Sequence, residues 1–236
     1  LSSVTIASNN SVSTLAKTGD NITLSITSAE AIQTPSVSIA GQTATVTGSG
    51  TSWSATYKMT NSNSDNVSVS LNIGFSDLAG NPGDNVTSTT NGSAVHFDRT
   101  TPTLSSVTIA SNNSVSTLAK TGDNITLSIT SSEAIQTPIV LIAGQAATET
   151  GDNMTWSAAY TMTNSNTQGP VSLNIVFEDL AGNPGSAVDN TTDGSAVWFD
   201  KTPPTLSSVT IASNNSVSTM AKTGDNITLS FTSLEA

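Results

Sequence analysis

The chain has no cysteine, a single histidine, six basic residues, and aromatic side chains at only 4% of its 236 positions. Without cysteine there is neither a disulfide framework nor a thiolate metal site, and one imidazole, His96, excludes a histidine cluster. Six Lys and Arg against seventeen Asp and Glu leave a net charge of −11. No basic stripe is left to neutralise phosphates, which argues against nucleic acid as a partner and leaves room for divalent cations. No apolar run approaches the roughly 18 residues of a membrane-spanning helix, and no signal peptide is recognisable. The scarcity of aromatics argues against a row of exposed rings for stacking sugars. Catalysis finds no support either, because no nucleophile can be matched with a base and an orienting acid, and a two-carboxylate glycosidase would need a cleft.

What the chain does have is repetition. Leu1 recurs as Leu104 and Leu206, each opening Leu-Ser-Ser-Val-Thr-Ile-Ala-Ser-Asn-Asn-Ser-Val-Ser-Thr, so the periods are 103 and 102 residues. The one-residue difference falls where Asn63 to Val67 faces Asn166 to Pro170, a polar stretch expected to be a tolerant loop tip. A unit of about 100 residues can bury its own core, which makes each repeat a small domain rather than a solenoid turn. The expected division is module 1 over 1–101, module 2 over 102–203, and the first two strands of a third module over 204–236. Beginning on a repeat boundary and stopping within a repeat, the sequence reads as a piece of a longer chain.

Within a module the apolar residues alternate with polar ones at period two. Val4 and Ile6 mark a first strand, and Ile22, Leu24 and Ile26 mark the clearest one. Val37 and Ile39, then Ala44 and Val46, then Trp53, Ala55, Tyr57 and Met59 follow. Val67, Val69, Leu71, Ile73 and Phe75 promise the longest strand, and Ala94 to Asp98 the last. About seven short strands, turn signals every ~8 to 12 residues and no stretch able to stand as a helix predict an all-β antiparallel sandwich. Trp53 and Trp156 are its largest expected core residues.

Five further phrases recur in order: Gly122 to Leu127, Ser132 to Ile135, Ile142 to Gly144, Phe177 to Asn183, and Phe199 to Thr205. With them the chain resembles the bacterial immunoglobulin-like (Big-type) tandem repeats of large secreted surface adhesins, over both full modules and the partial third. The resemblance implies tandem immunoglobulin-like sandwiches in an end-to-end array. It also implies an extracellular, cell-surface location and a stalk role, the array carrying a distal tip. In several such families calcium rigidifies the joints.

The candidate metal ligands are the acidic positions that recur. Glu30, Asp77 and Asp98 become Glu133, Asp179 and Asp200. Asn81 and Asn183 end the Asp-Leu-Ala-Gly-Asn phrases and offer amide oxygens around a glycine turn. Calcium takes about six to eight hard oxygens, and such a set would form if the loops bearing Glu30, Asp77 and Asp98 met at one pole. The same Asp and Asn are equally the residues of a plain Asx-type turn. The strong calcium signatures, an EF-hand loop or a glycine-rich nonapeptide, are absent.

Prolines at the junctions, Pro102 and Pro203-Pro204, restrict the backbone there and predict stiff crossings between neighbouring modules. Lys17, Lys120 and Lys222 each precede Thr-Gly-Asp and read as exposed turn residues rather than partners of an isopeptide bond. Sequons such as those at Asn9, Asn21, Asn66, Asn85 and Asn91 are what an Asn-, Ser- and Thr-rich chain produces by chance, with glycosylation of exposed loops the alternative. An alternative to the stalk is a subunit of a self-assembling filament or sheath. There Ile227, Leu229 and Phe231 would pair with another copy of the chain.

Overall fold

The computed structural model describes residues 1–235, and among them there is no helix. The first module is built from β1 (Ser3–Ser8), β2 (Leu15–Ala16), β3 (Asn21–Thr27), β4 (Ser36–Ile39), β5 (Gln42–Thr43), β6 (Thr45–Ser49), β7 (Ser52–Lys58), β8 (Val67–Ser68), β9 (Leu71–Gly74) and β10 (His96–Phe97). One layer is the antiparallel sheet β1-β3-β7-β6. The other is made of β5-β4-β9 together with β2-β10-β8, in which β10 runs parallel to β2. The second module repeats this order, so each is an immunoglobulin-like antiparallel sandwich.

The period-two pattern explains the register. Ile22, Leu24 and Ile26 face Tyr57, Ala55 and Trp53 across β3–β7, and Leu24 and Ile26 face Ile6 and Val4 across β1–β3, so one face of three strands is apolar. That face meets Val37, Ile39, Leu71, Ile73 and Phe97 from the opposite layer. A second, separate core gathers Val107, Ile109, Leu127, Ile129, Ile142, Ile175 and Phe199. Burying a side chain of this size contributes about 1.5–3 kcal/mol, which is how a chain without disulfides holds its fold.

Three local expectations are corrected. Val67 to Phe75 is not one strand: Val69 bonds to Val95 while Ser70 accepts from Ala40, so the chain steps from one sheet (β8) to another (β9). Alternation survives the step, which hides it from sequence. Phe97 and Phe199 are the largest fully buried residues; Trp53 does join its core, while Trp156 is half-buried against the second. Asn63 and Asn166, placed in a loop tip, are buried turn-formers; their Oδ1 accepts the amides of Thr60 and Thr163 at 2.8 and 2.7 Å.

The segment between β9 and β10 closes the side of the sandwich. Val86 bridges to Ile73, while Thr90 and Ser93 take up the outward amides of β1. Residues 206–213 and 227–233 pair antiparallel, with Val209 opposite Phe231 and Ile211 opposite Leu229. These four side chains are exposed, unlike their buried equivalents in the two modules.

Candidate metal centre at the joint

The loop Asp179 to Asn183 is positioned from both sides. The Asp179 backbone bridges to Ile135, and Glu178 bridges to Pro184, so the chain doubles back within five residues. Asp179 Oδ1 accepts the Asn183 amide at 2.8 Å and Oδ2 accepts Asn183 Nδ2 at 2.7 Å. Gly182 closes the turn at φ +85°, a conformation that side chains disfavour. Gly185 returns the strand beneath the Phe177 ring, where a Cβ would come within 2.2 Å of ring carbon. The Asx turn considered from sequence is therefore present.

In the second module this loop is also an interface. Asn183 Nδ2 donates to Asp98 O at 3.0 Å, Asn10 Nδ2 donates to Ala181 O at 2.9 Å, and Lys17 Nζ donates to Gly182 O. Leu180 and Ala181 line a small cavity together with Leu15 and His96 of the first module. The contrast with the first module's copy of the loop shows what the contact does. Ala181, Gly182 and Asn183 are buried, whereas Ala79, Gly80 and Asn81 are exposed. The internal turn is the same in both, since Asn81 N and Nδ2 bond Asp77 at 2.8 and 2.7 Å.

The joint brings three carboxylates together. Oxygens of Asp98, Glu133 and Asp179 all lie within 4.8 Å of one another, and Asp179 is only 1% exposed. Asp98 Oδ1 also accepts the Thr100 amide at 2.9 Å, which fixes the exit of the first module. Burial first, then the charges of Asp98, Asp179 and Asp65, push the Glu133 carboxyl above its ordinary range. Asp65 behaves oppositely. Burial raises it, but the Arg99 amide, the Thr100 hydroxyl, the Asn66 amide and the Arg99 charge together hold it low. Asp77 is held low by the Asn81 side chain and amide.

The grouping expected from sequence is thus corrected. Asp98 does not join Glu30 and Asp77; it joins their equivalents, Glu133 and Asp179, in the following module. Glu30, Asp77 and Asn81 lie at the other pole, around a cleft of about 270 Å³ beside Leu1. Asp200 repeats the role of Asp98 as a cap, accepting Thr202 N at 2.8 Å. The polar partners Asn10, Lys17 and Asp65 were not legible as site residues. The one available signal was that Asn10 and Lys17 recur as Asn113 and Lys120.

The donor set suits a hard divalent cation. Ligands on a sphere of about 2.3–2.6 Å radius lie up to about 5 Å apart, which the three carboxylates satisfy. Both Asp179 oxygens are used by Asn183, but each keeps a second lone pair. Asp98, Glu133 and Asp179 would hold the ion, with carbonyls and water completing its shell.

No family model matches the chain, and no curated protein does. Among solved structures it is similar to the fibronectin(III)-like modules of Clostridium thermocellum CbhA, at 10% identity and TM-score 0.37, over 83% of this chain and 93% of that one. It is similar also to the C-terminal domain of the Streptococcus agalactiae AgI/II polypeptide BspA, at 11% identity and TM-score 0.27, over 84% and 98%. A third is BcpA, the major pilin subunit of Bacillus cereus, at 11% identity and TM-score 0.22, over 84% and 69%. Likenesses this distant carry no functional argument.

Proposed function

We propose that the chain is a run of structural modules in an extended extracellular stalk of a bacterial surface adhesin, and that calcium at Asp98, Glu133 and Asp179 stiffens the joint. The observation that carries this reading is the docked loop, with Asn183 reaching back to Asp98 while Asn10 and Lys17 reach forward to residues 181 and 182. A spacer would need none of these contacts. Three carboxylates crowded at a joint repel one another, and an ion that binds there only when the modules are docked adds its binding free energy to the docked state. The role is mechanical, and no reaction is assigned to it.

A calcium titration of the thermal midpoint, against chelator, tests the ion. A rise that Asp179→Asn removes is expected, and no shift at excess calcium would sink that part of the reading. Small-angle scattering tests the stalk independently, with an elongated particle expected and a compact one contradictory. The alternative is a subunit of a self-assembling filament or sheath. It requires the solution mass to grow with concentration, whereas the stalk requires it to stay constant.

A further inference from the structure

Asn91-Gly92 is the one Asn-Gly step in the chain, and it sits in the segment that fastens β1. Thr90 Oγ1 accepts Val4 N at 3.0 Å and Ser93 Oγ accepts Ile6 N at 3.0 Å, so two consecutive outward amides of the edge strand are held on either side of this step. Ser93 N donates to Asn91 Oδ1 at 3.0 Å. That bond holds the Asn91 side chain in an Asx turn spanning Gly92 and draws electron density from its carbonyl carbon. Both residues are exposed, Gly92 has φ +74°, and nothing lies within 4 Å of where its Cβ would be. Among the described residues the Gly92 amide donates no hydrogen bond, so using it as a nucleophile breaks none.

We propose that Asn91 is a modification site, deamidated through a succinimide closed by the Gly92 amide nitrogen. The nitrogen loses its proton and bonds to Asn91 Cγ; the Cγ–Nδ2 bond breaks and ammonia leaves with that proton. Water then opens the ring. Cleavage at the side-chain carbonyl leaves aspartate, and cleavage at the main-chain carbonyl leaves isoaspartate, with the backbone routed through Cβ. The sum is amide plus water giving acid plus ammonia, with no electrons exchanged.

The second module displays the first of these products. Asp193-Gly194-Ser195 occupies the same turn, with Ser195 N on Asp193 Oδ1 at 2.9 Å. Thr192 Oγ1 and Ser195 Oγ hold Val107 N and Ile109 N, each at 2.9 Å, as their counterparts do in the first module. Aspartate at position 91 therefore leaves the clasp intact. Isoaspartate does not, because an added backbone atom between Thr90 and Ser93 shifts one holder of β1 relative to the other. The two modules thus age differently, since Asp193 can re-enter the ring only by expelling water, a slower loss than that of ammonia.

The test is prolonged incubation of the full chain at mildly alkaline pH, followed by peptide mapping of the tryptic segment Met59–Arg99. Exchange of –NH2 for –OH at Asn91, ahead of every other asparagine and resolved into aspartate and isoaspartate forms, is expected. Asn91→Gln, which must close a larger ring, should stay unmodified, and Asn91→Asp should melt as the parent does. Conversion at Asn91 no faster than at the other asparagines would overturn the proposal, as would equal conversion in Asn91→Gln.

Discussion

Asn183 and Asp98, 85 residues apart in sequence, are joined by a 3.0 Å hydrogen bond from the side-chain amide of one to the carbonyl of the other. The same amide holds Asp179, one of the three carboxylates of the joint, at 2.7 Å. One side chain therefore shapes its own loop and ties that loop to the preceding module. Its counterpart Asn81 does only the first of these.

Asn183→Ala is expected to leave the buried Asp179 Oδ2 and the Asp98 carbonyl without their side-chain donor, at a cost of about 1–3 kcal/mol. Asn81→Ala, at an exposed copy of the loop, should cost ~0.5 kcal/mol or less. Urea unfolding of the two variants side by side checks this. Equal losses would mean that the joint adds nothing to the turn.

Lys17 and Lys120 occupy the same place in their modules but bond differently. Lys17 reaches Gly182 O, while the exposed Lys120 pairs within its own turn with Asp123 at 3.5 Å. Lys17→Met should therefore loosen the joint without moving module stability beyond ~0.5 kcal/mol, and Lys120→Met should leave that joint unchanged. Residual dipolar couplings of the two modules, compared for common alignment, would separate the cases.

Glu133 carries the pH dependence. Its carboxyl is raised by burial, and further by Asp98, Asp179 and Asp65, so the folded chain holds that proton more tightly than the unfolded chain. Ionising it then costs stability. The cost is absent below the unfolded value, grows as pH climbs between the two values, and is complete above the folded one. In chelator, Glu133→Gln should melt higher than the parent at neutral pH and level with it in acid. With calcium present the order at neutral pH should reverse, because the variant has lost a ligand. Identical pH profiles in chelator would contradict the assignment.

Phe97 is fully buried, pinned in β10 between β2 and β8. Phe97→Ala is expected to cost about 3–5 kcal/mol in unfolding experiments. Trp198→Ala, at an exposed ring one position before Phe199, should cost ~0.5 kcal/mol or less.

Much of the sandwich was legible because its cause is local. Alternation at Ile22, Leu24 and Ile26 fixes which face of β3 is buried, and it does so whatever surrounds the strand. The step between β8 and β9 was not legible, since a change of sheet need not disturb alternation. Repetition identified the recurring acids, but sequence could not say which copies meet. Asp98 recurs with Glu30 and Asp77 in one module, and that sharing of a period suggested a shared pole. In space the period is what separates them, because the first module presents its exit carboxylate, Asp98, to Glu133 and Asp179 of the second. Lys17 looked like a solvated turn residue because its acceptor, Gly182 O, is a backbone atom with no sequence signature.

The absence of cysteine allows the stiffness of the joint to be measured with site-specific labels. Thr47→Cys and Thr150→Cys, at equivalent exposed positions of the two modules, accept spin labels at those sites alone. Electron–electron double resonance then reports the distance distribution across the joint. A single narrow distribution in calcium that broadens in chelator, and that stays broad in Asp179→Asn at either condition, is the predicted result. A distribution equally broad with and without calcium would mean that no ion stiffens the joint.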